Sequence, residues 1–392
     1  MHDKRGKRAQ RLIITVACVL GAMGTGLPAA AASVAPGTAG TWRVDKYLPA
    51  DTAEPPQEYS TGDTFLDVEA VGPDDAWAVG SSGYNLGAWG RPVLRHWHDG
   101  QWLSPKIPGW FNGSKVGGWV NALQAVGGSS PSDVWALGPY YLVDETVLRA
   151  VHWNGITWTR STVPFQGSFA PQITSVVSFA GSGAWAFGCY CGASQSPYIA
   201  HFTDGHWRDV TPAGLPFGGI WTASAISSSN IWAVQGDANE GSFGALHWNG
   251  TTWASVAVPS SLTSGPDSFY PGGGLVASAT GDVVFTGSLT SSGAAAVVTD
   301  DNGSWSVTEP AAANALGPLT PDGSGGLWAA SEPLGNTSAQ IWHYSGGQWS
   351  QAANPPGTGK SYAITWMTNV PGSQTTLAIG NDLKNELLLS TP

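Results

Sequence analysis

Charge is what this chain has least of. Asp, Glu, Lys and Arg together make up 11% of its 392 residues, and no Arg occurs after Arg208. Basic residues are the scarcer sign, 16 against 27 acidic ones, and Lys4, Arg5, Lys7, Arg8 and Arg11 crowd the start of the chain. Without residues 1–32 the chain keeps 11 basic and 26 acidic residues, a net charge of −15. Such a surface repels nucleic acid and anionic lipid, so neither is an expected partner. Long apolar runs are missing after residue 32, which excludes insertion into a bilayer as a helix. Helical periodicity is missing too. What remains is 53 Gly and 21 Trp, a composition suited to short strands and tight turns.

Residues 1–32 read as a secretory signal peptide: a basic start, an apolar stretch from Leu12 to Leu27, and a small-residue cleavage site near Ala32. Cys18 follows Thr15-Val16-Ala17, a poor match to a lipid-attachment box. The expected product is exported, soluble and monomeric, with residues 33–40 as a short linker. Export leaves only Cys189 and Cys191. In an oxidising compartment they can form a disulfide, although a bridge across one residue is geometrically awkward and two free thiols are the alternative. A Cys-x-Cys copper site would need further soft ligands, which the neighbouring sequence does not supply.

Two landmarks recur. One is an aromatic pair around a turn: His96-Trp97-His98-Asp99-Gly100-Gln101-Trp102, His152-Trp153-Asn154-Gly155-Ile156-Thr157-Trp158, and copies beginning at His201, His247 and His343, with a worn one at Thr299 to Trp305. Asp-Gly, Asn-Gly and Gly-Gly supply the positive φ of a tight hairpin. A four-residue loop sets Trp153 opposite Trp158, Phe202 opposite Trp207 and Tyr344 opposite Trp349. The other landmark precedes each hairpin: Asp75-Ala76-Trp77, Asp133-Val134-Trp135, Gly183-Ala184-Trp185, Asn230-Ile231-Trp232, then Val284, Trp328 and Leu377 as later anchors. Anchors recur about every 50 residues, with another short strand before each, and seven such four-stranded units make an all-β, seven-bladed propeller spanning 41–392. Inner strands are expected at Leu66 to Val71, Asn121 to Val126, Ile173 to Phe179, Trp221 to Ile226, Gly274 to Ser278 and Tyr362 to Thr368. After Leu377 the chain supplies only Asn385 to Ser390, so residues 41–48, around Trp42, are expected to complete blade 7.

Tandem Asp-Val-Trp-Ala-x-Gly and His-Trp-Asn-Gly-x-x-Trp copies resemble the secreted β-propeller repeat proteins of actinobacteria. The copy Thr299 to Trp305 is similar to the Asp-box (BNR) turn of sialidase-type propellers, one residue short. That second resemblance implies an arginine triad drawn from separated blades. Here Arg43, Arg91, Arg95, Arg149, Arg160 and Arg208 leave blades 4 to 6 without any, which argues against a sialidase.

The five in-register histidines suggest a metal centre, but each belongs to a different blade. Each is expected to pack on its neighbouring Trp or to bond a backbone carbonyl, with no metal and no cofactor. The repeat tryptophans are expected as blade-to-blade core. Candidate ligand-binding residues are the irregular-loop aromatics Trp89, Trp110, Trp119, Tyr140, Tyr141, Trp221 and Tyr270, whose ring faces suit sugars. Trp119 and Trp221 each follow a Gly pair, expected to turn the chain into the central funnel. Candidate catalytic carboxylates are Asp67 and Glu69, which strand alternation puts on one side of an inner strand, and the loop residues Asp144 and Glu145. The leading expectation is a ligand-binding propeller that takes a glycan or peptide on its loop-rich face. A carbohydrate-active hydrolase or lyase, and a protein–protein scaffold, are the alternatives.

Overall fold

The computed structural model describes residues 41–49, 64–82, 91–112, 121–141, 145–191, 195–215, 218–237, 242–265, 267–311, 314–331, 338–356, 358, 361–381 and 385–391. The expected signal peptide and linker, 1–40, lie outside the described residues. Seven antiparallel sheets of four strands each form from consecutive segments: 64–103, 125–163, 172–209, 219–255, 269–308, 316–351, and 363–390 joined by Arg43–Pro49. The architecture is a seven-bladed β-propeller. Blades are numbered in that order.

The hairpin chemistry read from the sequence is what folds the outer edge of each blade. Trp97 pairs with Trp102, Trp153 with Trp158, Phe202 with Trp207, Trp248 with Trp253 and Tyr344 with Trp349. Asp99 and Gly100 turn at φ 50° and 68°, Asp204 and Gly205 at 52° and 78°, and even the worn copy keeps Asn302 and Gly303 at 49° and 92°. Two successive positive φ values match the right-handed twist of the flanking strands, which is why Asp-Gly recurs there; at Asn154-Gly155 and Asn249-Gly250 only the glycine is left-handed, and the Asn Oδ1 accepts the amides two and three residues on.

Those aromatic pairs receive the second-strand indole of the preceding blade. Trp77 lies 5.9 Å from Trp153 and 5.3 Å, edge-on, from Trp158. Trp135 meets Phe202 and Trp207 at 4.5 and 5.5 Å, and Trp185 meets Trp248 and Trp253 at 5.0 and 5.9 Å. Between blades 4 and 5 the pattern changes hands: Phe243 packs on Phe269, Phe285 and Trp305. Such tilted and edge-to-face pairs contribute about 0.5–1.5 kcal/mol each beyond the apolar area that they bury.

Ring closure follows the same rule. Arg43–Pro49 pairs with Asn385–Ser390, and Trp42, just before that strand, sets its ring edge-on to Trp328 of blade 6 at 5.4 Å. Trp42 is 1% exposed. Two polar ties reinforce the join: Ser390 Oγ donates to Asp45 Oδ1 at 2.8 Å, and the Arg43 Nε lies 2.9 Å from the same carboxylate oxygen. On the other side of blade 7, Arg95 of blade 1 forms an ion pair of 3.7 Å with buried Glu386.

One expected inner strand is placed differently, and one was not foreseen. The strand expected over 121–126 runs instead from Ala125 to Ser130. Before it, Asn121 Oδ1 accepts the Tyr141 amide at 2.7 Å, and the Leu123 amide donates to the Gly80 carbonyl of blade 1 at 3.2 Å. Blade 6, for which no inner strand was legible, uses Leu316–Pro321.

Replacing Trp42 by Ala should lower stability by about 3–5 kcal/mol, the usual cost of emptying a buried aromatic site. Chemical denaturation measures it, and a loss below about 1 kcal/mol would show that blade 7 closes without this indole.

Candidate functional site

The repeat histidines are structural, by a device other than the expected one. Each imidazole stacks on the second-strand Trp of its own blade, not on its sequence neighbour. Centroid distances are 4.0 Å for Trp77–His96, 4.0 Å for Trp135–His152, 3.9 Å for Trp185–His201, 4.5 Å for Trp232–His247 and 4.1 Å for Trp328–His343. In blades 1, 2 and 4 the Nε2 faces a side-chain oxygen at the start of the second strand, Asp75 at 3.0 Å, Asp133 at 2.8 Å and Asn230 at 2.9 Å, whereas His201 of blade 3 has a backbone partner at Ser182, as expected. Blade 6 has Gly326 at the repeat position, and Asp322 from the preceding turn takes over at 2.8 Å. Asp75 and Asp133 also accept the indole N–H, at 2.9 and 3.0 Å. Burial pushes the Asp133 carboxyl up, but hydrogen bonds from His152, Ser129 and Ser178 outweigh it and hold the group below the usual carboxylate range. Blade 3 has Gly183 there, and burial lowers the pKa of His201.

A cavity of about 440 Å³ occupies the axis, lined by inner strands of all seven blades. It fills the half of the channel nearer the turns between first and second strands. Its ionisable lining residues are Asp67 and Glu69, both on Thr64–Gly72, as alternation requires. Their surroundings differ. Asp67 is buried, and its two oxygens accept the amides of Val68 and of Val126 on blade 2, each at 2.8 Å. It is thus a clip between blades, and neutral side chains do the same elsewhere. Ser175 accepts the Ala223 amide at 3.0 Å, Ser224 the Ala277 amide and Thr368 the Ala70 amide, both at 3.2 Å. Glu69 has no hydrogen-bond partner among the described residues, and burial raises its pKa to about 8. Burial first, then the Val126 bond working the other way and the Glu69 charge beside it, leave Asp67 well above its usual value. A carboxyl that is neutral at pH 7 donates a hydrogen bond to a ligand; a carboxylate in the same place repels electron-rich groups.

The aromatic candidates do not converge there. Trp221 and Tyr270 stand on the first halves of their strands, Gly219–Ser227 and Phe269–Ala277, towards the opposite mouth. They meet edge-on at 5.2 Å across the blade 4–5 boundary, and the Trp221 Nε1 donates to the Gly236 carbonyl at 3.2 Å. Trp221 sits at a bulge, where the register slips between Ile220 and Thr222. The matching bulge in blade 3 carries Thr174, whose hydroxyl bridges to Ile220 at 3.0 Å. A bulge re-aims its side chain, and in blade 4 that side chain is an indole. The glycine before it serves packing rather than a turn: a Cβ on Gly219 would come within 2.3 Å of the Cys189 Cβ.

The remaining candidates are scattered. Tyr140 is fully buried with the Arg149 guanidinium 4.2 Å above its ring, so it belongs to the core and is closed to a ligand. Tyr141 follows it at the strand's end and is half-buried, which raises its hydroxyl pKa. Trp110 lies on a short turn, Gly109–Asn112, against Phe111 and under Arg160 at 5.2 Å. Glu145 is exposed; Trp89, Trp119 and Asp144 lie outside the described residues. Cys189, at the end of the second strand of blade 3, is bonded to Cys191, their Cα atoms 5.2 Å apart. One group was missed in the sequence. Blade 1 alone follows its repeat histidine with another two residues later, His98, and brings Asp74 and Asp99 beside it.

No protein-family model and no curated protein matches this chain. Solved structures do. YCF48 bound to D1 peptide aligns with 92% of this chain and 99% of its own, at 14% identity and a TM-score of 0.60. YCF48 from Cyanidioschyzon merolae aligns over 90% and 98%, at 16% identity and a TM-score of 0.55. The GH74 xyloglucanase from Xanthomonas campestris aligns over 87% of this chain and 52% of its own, at 14% identity and a TM-score of 0.55. The likeness is one of fold.

Glu69 makes stability depend on pH. Its folded-state pKa of about 8 exceeds the ordinary 4.5, so within that window the native chain keeps a proton that the unfolded chain has lost. Stability therefore falls as pH rises through the window, by about 1.4 kcal/mol per pH unit, and levels off above it. Glu69→Gln should melt with the parent near the lower limit and above it near pH 8. Parallel melting curves across the range would show Glu69 to be ionised and solvated in the native chain.

Proposed function

We propose that this chain is a ligand-binding propeller that recognises a glycan or a peptide at the mouth from which its inner strands start. The observation that carries this reading is the Trp221–Tyr270 pair. At a bulge where blade 3 spends a small hydroxyl on joining its neighbour, blade 4 places a half-buried indole held by the Gly236 carbonyl, with a tyrosine ring against its edge. A ring fixed in this way stacks on a sugar face or an apolar side chain with little further loss of rotamer freedom. The fold's precedents agree in kind, one being solved with a peptide and another being a xyloglucanase. The chain is proposed to work outside the cell as a monomer, after loss of residues 1–32.

A hydrolase reading has one observation in its favour: Glu69, raised to about 8, is protonated at neutral pH as a general acid must be. Against it, Asp67 has both oxygens committed to backbone amides and is poorly placed to serve as the partner base.

The test is a screen of oligosaccharides, polysaccharides and peptides read by intrinsic Trp fluorescence, repeated with Trp221→Ala and Trp221→Phe. A ligand found for the parent should bind Trp221→Ala about tenfold more weakly or worse, a loss of about 1.4 kcal/mol, and Trp221→Phe nearly as well as the parent. Equal affinity for the parent and Trp221→Ala would move the site away from this mouth.

A further inference from the structure

We propose that the axial cavity is a second binding site, which takes a small organic cation bearing an alkylammonium group. It occupies the end of the channel away from the Trp221–Tyr270 pair, and inner strands rather than loops form its walls. Its volume of about 440 Å³ is that of a small-molecule site and exceeds what a single ion fills.

The wall carries polar groups that the fold leaves unused. Hydroxyls that join neighbouring inner strands are accounted for: Ser175, Ser224 and Thr368 each accept an amide of the next blade. Thr222 of blade 4 and Thr320 of blade 6 also line the cavity, and they are 2% and 4% exposed. Their hydroxyls have no hydrogen-bond partner among the described residues, and neither has Glu69 on the blade 1 wall. Buried polar groups are nearly always satisfied, so three left open on one space call for something in it. Water completes the hydroxyls, but it supplies no counter-charge. Asp67 and Glu69 face the cavity, and no Lys, Arg or His does so among the described residues. Two amides at 2.8 Å on the Asp67 oxygens favour its ionised form, which a nearby cation favours further.

An aromatic ring stands beside the acids. On blade 7, Thr365 Oγ1 donates to the Phe65 carbonyl and Thr368 Oγ1 accepts the Ala70 amide, both at 3.2 Å. These bonds hold Ala363–Asn369 alongside Thr64–Gly72, and Trp366, between the two threonines, lines the cavity. Trp366 and Asp67 are counterparts, each the first paired residue after a slip of register. An ammonium between them donates to Glu69 and to a hydroxyl, while the indole attracts its charge and packs on its alkyl carbons. A calcium ion fits less well, since it takes about six to eight oxygens and Glu69 is the one carboxyl with both uncommitted. The chain's excess of acid, 27 residues against 16 basic ones, draws cations towards it.

The test is calorimetric titration of the parent chain with putrescine, with 1,4-butanediol as the neutral molecule of equal length and calcium chloride as the metal. One equivalent of putrescine is expected, with no saturable uptake of the diol. Glu69 keeps its proton up to about pH 8, and Asp67 is the other titratable group facing the cavity. Binding at pH 7 should therefore release a proton, counted by repeating the titration in buffers of different ionisation enthalpy, and should tighten as pH rises towards 8. Glu69→Gln should bind putrescine about tenfold more weakly or worse and release no proton, whereas Glu309→Gln, an exposed acid outside the cavity, should match the parent. No saturable uptake of putrescine, or equal uptake by the parent and Glu69→Gln, would overturn the site. Diol binding as tight as putrescine, or calcium displacing putrescine at equal concentration, would overturn the organic cation as its occupant.

Discussion

The structure depends on one kind of contact, aromatic packing between neighbouring blades: a second-strand indole wedged into the next blade's aromatic hairpin from blade 1 to blade 4, Phe243 against blade 5, and Trp328 against Trp42 at the closure. A four-stranded sheet alone cannot bury both faces, so each blade is completed only by its neighbours. The wedge does this with the fewest residues. It places the largest side chains where two sheets diverge, towards the rim, and leaves Ala, Val and Gly nearer the axis. The histidine stacked behind each indole, and in blades 1 and 2 the aspartate that accepts the indole N–H, fix the ring's tilt. Where the acid is lost, at Gly183, Asn230 and Gly326, the stack persists, with the Ser182 backbone, the Asn230 side chain and Asp322 as the histidines' partners.

Scarcity of charge has a counterpart at the axis. Inner strands present backbone amides to one another across the blade boundaries, and those amides need acceptors. Serine and threonine hydroxyls supply most of them at no electrostatic cost. Blade 1 uses a carboxyl at Asp67 and adds another at Glu69, so the channel carries its acidity on one wall. The same residue types thus hold the ring together and give its cavity a polarity that the repeat would not produce.

Much of this was legible in the sequence because turn chemistry and aromatic pairing are local. Asn-Gly and Asp-Gly announce a reversal wherever they stand, and Trp153 must then face Trp158. Closure by residues around Trp42 was legible because a blade left one strand short demands a donor. What was hidden depends on neighbours remote in sequence. Tyr140 looked like a loop aromatic but is sealed beneath Arg149. Gly219 looked like a hinge but makes room for Cys189 of the adjoining blade. The bulge that aims Trp221 leaves no mark in the chain, since a register slip is a property of the pair of strands. His98 escaped notice because the five aligned histidines drew attention to the period, and it lies outside the period.

The joined blade also bears on how the molecule comes into being. A hydrogen bond between Arg43 and Ser390 links residues 347 positions apart, while every other blade is made from one contiguous stretch. Chains are synthesised from the N-terminus, so the first strand produced has no partner until almost the last one appears. Six blades are free to assemble in sequence behind it. The seventh acts as a proof of completeness: a chain cut short anywhere before its last strand has an open ring and a pair of exposed sheet edges.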